Sequence, residues 1–203
     1  MSQFEYVAVF VSIIAGLGVV HLLLGIARLI TNKDRSPYWL HLLWTLNVFN
    51  YLIFFWWTVY RWTVIQEWRV SLFVWVLAFA IVLYLLCAVL FPPDDPGTDY
   101  RETFYRNRKA FFGLWIVVNV FEIVDTSLKS GLGLVVGGQG SRPPEQLWLV
   151  LGGFALVAVG HFFAARSTNP RFHAIWGVFW FIWTTGYFAQ FSSLTPQLAP
   201  VQP

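Results

Sequence analysis

The chain of 203 residues is 58% hydrophobic and only 11% charged, with a net charge of +3. Soluble globular domains carry roughly 25% charged residues, so this composition excludes an ordinary soluble domain. Cys87 is the single cysteine, which excludes an intramolecular disulfide and a metal site built from several cysteines. The isoelectric point is high, near 9.2, but the basic residues lie between apolar segments. We therefore expect them to belong to membrane loops, and we expect no nucleic-acid partner.

Six apolar segments follow one another with short connections between them. Each has the length of about 20 residues that an α-helix needs to cross a bilayer, and none shows the strict alternation of barrel strands. The sequence therefore predicts an all-α polytopic bundle of about six transmembrane helices, forming one integral membrane domain over residues 1–203. The predicted spans are residues 4–30, 38–60, 70–91, 110–128, 146–165 and 172–193.

The distribution of lysine and arginine predicts the orientation of the bundle. Cytoplasmic loops of membrane proteins are enriched in these residues. If the N-terminus is outside, the inner side carries Arg28, Lys33, Arg35, Arg101, Arg106, Arg108, Lys109, Arg166 and Arg171. The outer side then keeps only Arg61, Arg69, Lys129 and Arg142. We therefore predict that both termini face outward, in a bacterial-type inner (plasma) membrane whose lipid bilayer is the main partner.

The first span carries glycines and a histidine on one face, with Gly18, His21, Gly25 and Arg28 within one sector of the helix. Glycines let a neighbouring helix approach closely, within the chain or in a homo-oligomer. His21 is either a packed, hydrogen-bonded histidine or, together with His161 of the fifth span, a ligand of haem iron or another metal. The sequence does not identify a cofactor; haem and a pigment are the candidates.

Two connecting segments contain several helix-breaking residues. Residues 92–100 include three prolines and a glycine, which predict a solvated loop, and the basic run that follows, up to Lys109, is expected to meet anionic lipid. The segment from Ser130 to Pro144 contains several glycines. We expect it either to re-enter the membrane or to cap a cavity.

The fourth span combines apolar residues with a stripe of polar ones. Trp115, Asn119, Glu122, Thr126 and Lys129 share a sector of the helix, with Asp125 at its edge and able to pair with Lys129. A carboxyl group within the bilayer is costly, and such groups often mark ion or proton pathways. The alternative is that Asn119 and Glu122 form hydrogen bonds across a helix interface and hold the bundle together.

The sixth span is the most aromatic segment, with Trp176, Trp180, Trp183 and Tyr187 on one face. Such a face suits a quinone, a pigment or an organic cation. It also suits plain packing or contact with lipid.

Three functions remain open at this level. The first is transport or conduction of a small solute, proton or cation along the fourth span, through Glu122, Asn119, Asp125 and Lys129. The second is a structural or accessory subunit of a membrane complex, and the third is a haem- or pigment-binding redox protein. The sequence lacks the H-E-x-x-H, G-x-S-x-G and G-x-x-x-x-G-K signatures, which makes an enzyme the weaker interpretation.

Overall fold

A computed structural model describes residues 3–31, 36–59, 62–63, 65, 68–92, 99–131 and 144–193. Within these ranges the chain folds into six α-helices, and the predicted all-α bundle is confirmed. They are α1 (Gln3–Thr31), α2 (Trp39–Val59), α3 (Val70–Leu90), α4 (Tyr100–Gly131), α5 (Pro144–Arg166) and α6 (Pro170–Ser193). The Pro-rich residues 93–98 and the glycine-rich residues 132–143, for which we predicted a loop and a cap, lie outside the described residues.

Five of these helices, α1 to α5, are long and apolar enough to cross a membrane. The sixth, α6, has 24 residues, about 36 Å at 1.5 Å per residue, so it has the length but a lower hydropathy. Its Ile175, Val178 and Ile182 nevertheless form an exposed apolar face. That α6 crosses the membrane therefore remains a prediction, and its exposed apolar face supports it.

Large apolar side chains cover the outside of the bundle. On α1, for example, Val9, Ile13, Leu17, Val20 and Leu24 are all about half exposed. Soluble monomers rarely expose contiguous apolar patches of this kind. The surface is instead suited to the hydrocarbon of a bilayer, and the chain is an integral membrane protein.

Helix α4 is longer than the sequence predicted, because it begins at Tyr100 instead of residue 110. Asp99 caps this end: its Oδ1 accepts a hydrogen bond from the Arg101 amide at 2.8 Å, and its carbonyl accepts one from the Thr103 amide at 3.2 Å. An aspartate at this position satisfies amides that have no partner inside the helix. The basic run up to Lys109, predicted as part of a loop, is therefore helical.

Helix α2 lies at the centre of the bundle. It packs against α1, α3, α4 and α6, and half of its most apolar window is buried, the largest share among the five apolar helices. Its side chains belong to one core cluster to which all six helices contribute. Polar contacts also join α2 to α6, because Asn47 Nδ2 donates to the Gly177 carbonyl at 3.1 Å and Asn50 Nδ2 donates to Thr184 Oγ1 at 3.0 Å.

The glycines of α1 lie against α3. A Cβ atom at Gly18 would lie 3.2 Å from Cys87 Sγ, and one at Gly25 would overlap the Phe91 ring. The predicted close approach is confirmed, but the neighbour is a helix of the same chain, so this face is not open to a second copy. Beside it, His21 Nε2 donates to the Phe91 carbonyl at 2.7 Å. His21 is thus a hydrogen-bonded histidine at the end of α3.

One end of the bundle gathers most of the basic residues and is called the basic end below. It consists of the end of α1, the start of α4 and the turn between α5 and α6, with Arg28, Arg101, Arg106, Arg108, Lys109, Arg166 and Arg171. Asn169 caps α6 in this turn, because its Oδ1 accepts a hydrogen bond from the Arg171 amide at 2.9 Å. The basic end is the side predicted to face the cytoplasm.

Candidate functional site

The polar residues of α4 lie on its buried face. Glu122 is only 6% exposed, and Asp125 and Lys129 are each 8% exposed. The buried face is rotated slightly from the polar sector that the sequence predicted. Asp125, which the prediction placed at the edge of that sector, is buried, whereas Thr126, which it placed within the sector, is only partly buried. Three ionisable groups are therefore packed inside the bundle within two turns of one helix.

Asp125 and Lys129 form the ion pair that their spacing predicted. Lys129 Nζ lies 2.6 Å from Asp125 Oδ2. The same ammonium group donates to the Thr58 carbonyl of α2 at 3.3 Å and lies 5.0 Å from the centre of the Trp62 ring. The positive charge is thus held between a carboxylate, a carbonyl oxygen and an indole face, which are all groups that stabilise cations.

Glu122 is bound from the opposite helix by Tyr51, whose hydroxyl donates to Glu122 Oε1. Tyr51 is itself buried, and its ring packs edge-on against Trp115 with centroids 5.1 Å apart. The sequence analysis did not identify Tyr51. The sequence pattern that could have indicated Tyr51 is the helical spacing of α2, which places Trp44, Val48, Tyr51 and Phe55 on one face. The contact between this face and Glu122 becomes visible only in the folded structure.

The charges of this group do not balance when all three residues are ionised. Two carboxyl groups face one ammonium group, and the ion pair already uses Lys129 for Asp125. Glu122 has a hydroxyl partner instead of a charged one. The group is therefore neutral only when a proton or an additional cation is bound.

Asn119 extends the polar face by one turn, toward the basic end. Its Nδ2 donates to the Trp115 carbonyl at 2.7 Å and lies 3.4 Å from Nδ1 of His161 on α5. Both residues are buried. Asn119 Oδ1 and His161 Nε2 have no hydrogen-bond partner among the described residues, which is uncommon for buried polar atoms.

Aromatic rings enclose His161. Its ring stacks on Trp115 with an interplanar angle of 6° and centroids 5.5 Å apart. It meets Trp176 and Trp180 edge-on, with centroids 5.5 and 5.2 Å away. Trp44 of α2 contributes a further edge-on contact at 6.2 Å. His161 is therefore fully enclosed in the interior.

The predicted aromatic face of α6 is divided between two surroundings. Trp176 and Trp180 belong to the enclosure of His161. Trp183 is exposed, and Tyr187 packs against Phe54 of α2 with centroids 5.7 Å apart. The four rings therefore do not line one common site.

His21 and His161 lie in different surroundings. His21 contacts Tyr84 of α3 and Phe91, the residue after α3, whereas the ring neighbours of His161 belong to α2, α4 and α6. Among the described residues, no group of three or more His, Cys, Asp or Glu side chains is placed to hold a metal ion. A joint role of His21 and His161 as ligands of haem iron or another metal stays a prediction.

Five helices that are long and apolar enough to span a membrane, and a sixth with an apolar outer face, define a multi-pass helical membrane protein. Comparison with protein families, with curated proteins and with solved structures gave no match to this chain. Its function must therefore be argued from its own residues.

Proposed function

We propose that the chain transports or conducts a proton or small cation along the buried face of α4. Glu122 is the protonatable or cation-binding group, and Asn119, Asp125 and Lys129 assist it. The observation that carries this proposal is that, among the described residues of α4, two buried carboxyl groups lie beside one buried ammonium group. Ionisable groups within a membrane are costly and most often serve ion or proton pathways.

The partners of the two carboxyl groups divide their roles. Asp125 is ion-paired with Lys129, and this pair orders the site. Among the described residues, the hydrogen-bond partner of Glu122 is the neutral Tyr51 hydroxyl, so its charge is open to compensation by an arriving proton or cation. A site that alternates between a bound and a released positive charge has the chemistry that transport requires.

Glu122→Gln in proteoliposomes tests the role of this carboxyl group. Glutamine keeps the size and the acceptor oxygen for Tyr51 but cannot exchange a proton or neutralise a cation. Flux should fall by about tenfold or more, as expected when the ionisable group of a pathway is lost.

The matched control for this test is Glu102→Gln on the same helix, whose side chain is 71% exposed. It should leave flux unchanged. Equal flux in Glu122→Gln and wild-type protein would remove Glu122 from the pathway.

A second candidate function is that of a structural or accessory subunit in a larger membrane complex. Two observations favour it: the polar residues of α4 bind across helix interfaces, with Tyr51 of α2 and His161 of α5, and large aromatic side chains such as Trp39 and Trp148 are exposed. A stoichiometric partner that co-purifies from native membranes supports this function. A solitary particle that carries Glu122-dependent flux contradicts it.

The bacterial inner membrane is the location that we propose for the protein. The argument is the concentration of arginine and lysine at one end of the bundle, which matches the cytoplasmic side of such membranes. Labelling of single cysteines placed at either end, in intact cells, tests this orientation.

A further inference from the structure

Two buried histidines continue the polar face of α4 toward the basic end. His161 of α5 lies beside Asn119, and His173 of α6 lies further along, against the rings of Phe104 and Tyr105. Both histidines have no exposed surface. Two imidazoles, from α5 and α6, therefore lie between Glu122 and the basic end, in addition to the polar residues of α4 described above.

These groups together extend across the thickness of a bilayer. From Lys129 to Arg108, α4 advances about 32 Å at 1.5 Å per residue. The hydrocarbon core of a bilayer is about 30 Å thick. Glu122 and His161 lie at intermediate levels of this length.

One phenyl ring separates the two histidines. Phe112 stacks on His161 with centroids 6.0 Å apart and an angle of 27°. It also stacks on His173 with centroids 5.3 Å apart and an angle of 19°. Phe112 is fully buried, so a proton passes between the histidines only when this ring turns or when water passes its edge.

Each histidine has one ring nitrogen in a polar contact and one without. His161 Nδ1 faces Asn119 Nδ2, and His173 Nε2 donates to the Ser167 carbonyl at 3.0 Å. His161 Nε2 and His173 Nδ1 have no hydrogen-bond partner among the described residues. An imidazole that accepts a proton at one nitrogen and releases it from the other is a relay.

We propose that the transported ion is the proton, and that it passes from Glu122 through His161 and His173 to the basic end, with Phe112 as the gate between the two histidines. This inference rests on the proposed function and extends it by naming the ion and the rest of the route. Each imidazole accepts a proton at one ring nitrogen and releases one from the other, so it ends a passage as the opposite tautomer and returns to the first by turning its ring before the next proton arrives. His161 has no exposed surface and is packed among indole rings, surroundings that do not suit a hydrated metal cation.

The test uses the full-length protein in liposomes that contain a pH-sensitive dye, with a potassium diffusion potential as the driving force. Wild-type protein should acidify or alkalinise the lumen faster than protein-free liposomes. His161→Gln and His173→Gln should each slow this change by about tenfold, since glutamine hydrogen bonds but does not relay a proton. The matched control is His21→Gln, which replaces a histidine off the route and keeps a donor for the Phe91 carbonyl; its rate should equal that of wild type.

The outcomes separate the two proposals. If Glu122→Gln abolishes flux but both His161→Gln and His173→Gln retain it, the proposed function stands and the histidine route is overturned. If Glu122→Gln retains wild-type flux, or the wild-type protein conducts nothing, the proposed function fails as well. A flux that is driven by an imposed pH gradient, without a potassium gradient, and still requires sodium or potassium in the medium overturns the assignment to protons.

A second variant keeps the route testable if the histidine variants do not fold. Phe112→Leu keeps an apolar side chain but removes the ring between the two imidazoles. It should raise the proton flux severalfold, whereas the same change at the exposed Phe163 of α5 should not. An unchanged or lower flux in correctly folded Phe112→Leu protein contradicts the gate.

Discussion

The ion pair of α4 allows a quantitative test of its burial. Lys129→Met keeps the apolar stem but leaves Asp125 charged and unpaired beside Glu122. Breaking a buried ion pair by removing one partner costs about 3–5 kcal/mol. The side chains of Lys129 and Asp125 are still 10% and 12% exposed. The expected loss of unfolding free energy therefore lies near the lower limit of this range, about 3 kcal/mol.

The reverse single variant should cost less. In Asp125→Asn, Lys129 keeps the Thr58 carbonyl and the Trp62 ring, so we expect a loss of about 2 kcal/mol. The double variant removes both charges and should lose about 3 kcal/mol instead of the sum of the two singles, which corresponds to a coupling energy of about 2 kcal/mol. The measurement is reversible unfolding in mixed detergent micelles, followed by tryptophan fluorescence.

The exposed pair of Glu102 and Arg106 on the same helix is the control. Its atoms are 3.9 Å apart, and the side chains are 71% and 43% exposed. An exposed pair at this spacing should show a coupling energy of about 0.5 kcal/mol or less. If the Asp125 and Lys129 variants were additive to within about 0.5 kcal/mol, the pair would be solvated and the argument from its burial would be refuted.

Three further predictions concern other contacts. Gly25→Ala should destabilise the protein by about 1–3 kcal/mol, because the new Cβ atom would overlap the Phe91 ring. Gly16→Ala on the same helix should not destabilise it, because a Cβ atom there has no neighbour within 4 Å. Equal unfolding free energies for the two variants would contradict the close approach of α1 and α3. Tyr51→Phe should lower both the Glu122-dependent flux and the stability, the latter by about 1.5–3 kcal/mol for a hydrogen bond to a charged group, and wild-type values in both assays would contradict that bond. Asn169→Ala should cost about 1 kcal/mol through loss of the α6 cap, measured by the same unfolding assay.

The bounds of the helices were predictable wherever apolar composition and chain breakers coincide. Helices α1, α2, α3 and α5 begin and end within two residues of the predicted spans, since each is a continuous apolar run. The start of α4 was not predictable in this way. The segment from Tyr100 to Lys109 has the composition of a loop and becomes helical behind the cap at Asp99. Hydropathy identifies the apolar part of a helix that fits the bilayer, and it does not identify a polar extension of the same helix.

The candidate site was only half predictable for a related reason. The helical period places Glu122 and Lys129 on one face of α4, and their pairing chemistry follows from spacing alone. The partners on other helices, such as Tyr51 and His161, depend on how the helices pack, which periodicity does not determine. The stacking of Phe112 between two histidines is likewise a property of three helices together.

In the proposed orientation, with Lys129 at the outer boundary of the bilayer, the depth of Glu122 would make its protonation sensitive to voltage. It lies seven residues from Lys129, about 10 Å along α4, which is about a third of the hydrocarbon thickness. A charge crossing the whole membrane experiences about 2.3 kcal/mol per 100 mV, so a proton reaching Glu122 from outside gains about 0.8 kcal/mol per 100 mV of inside-negative potential. An energised membrane would thus increase the ratio of protonated to ionised Glu122 about fourfold at constant pH, and the protein would respond to the electrical part of the proton-motive force as well as to acidity.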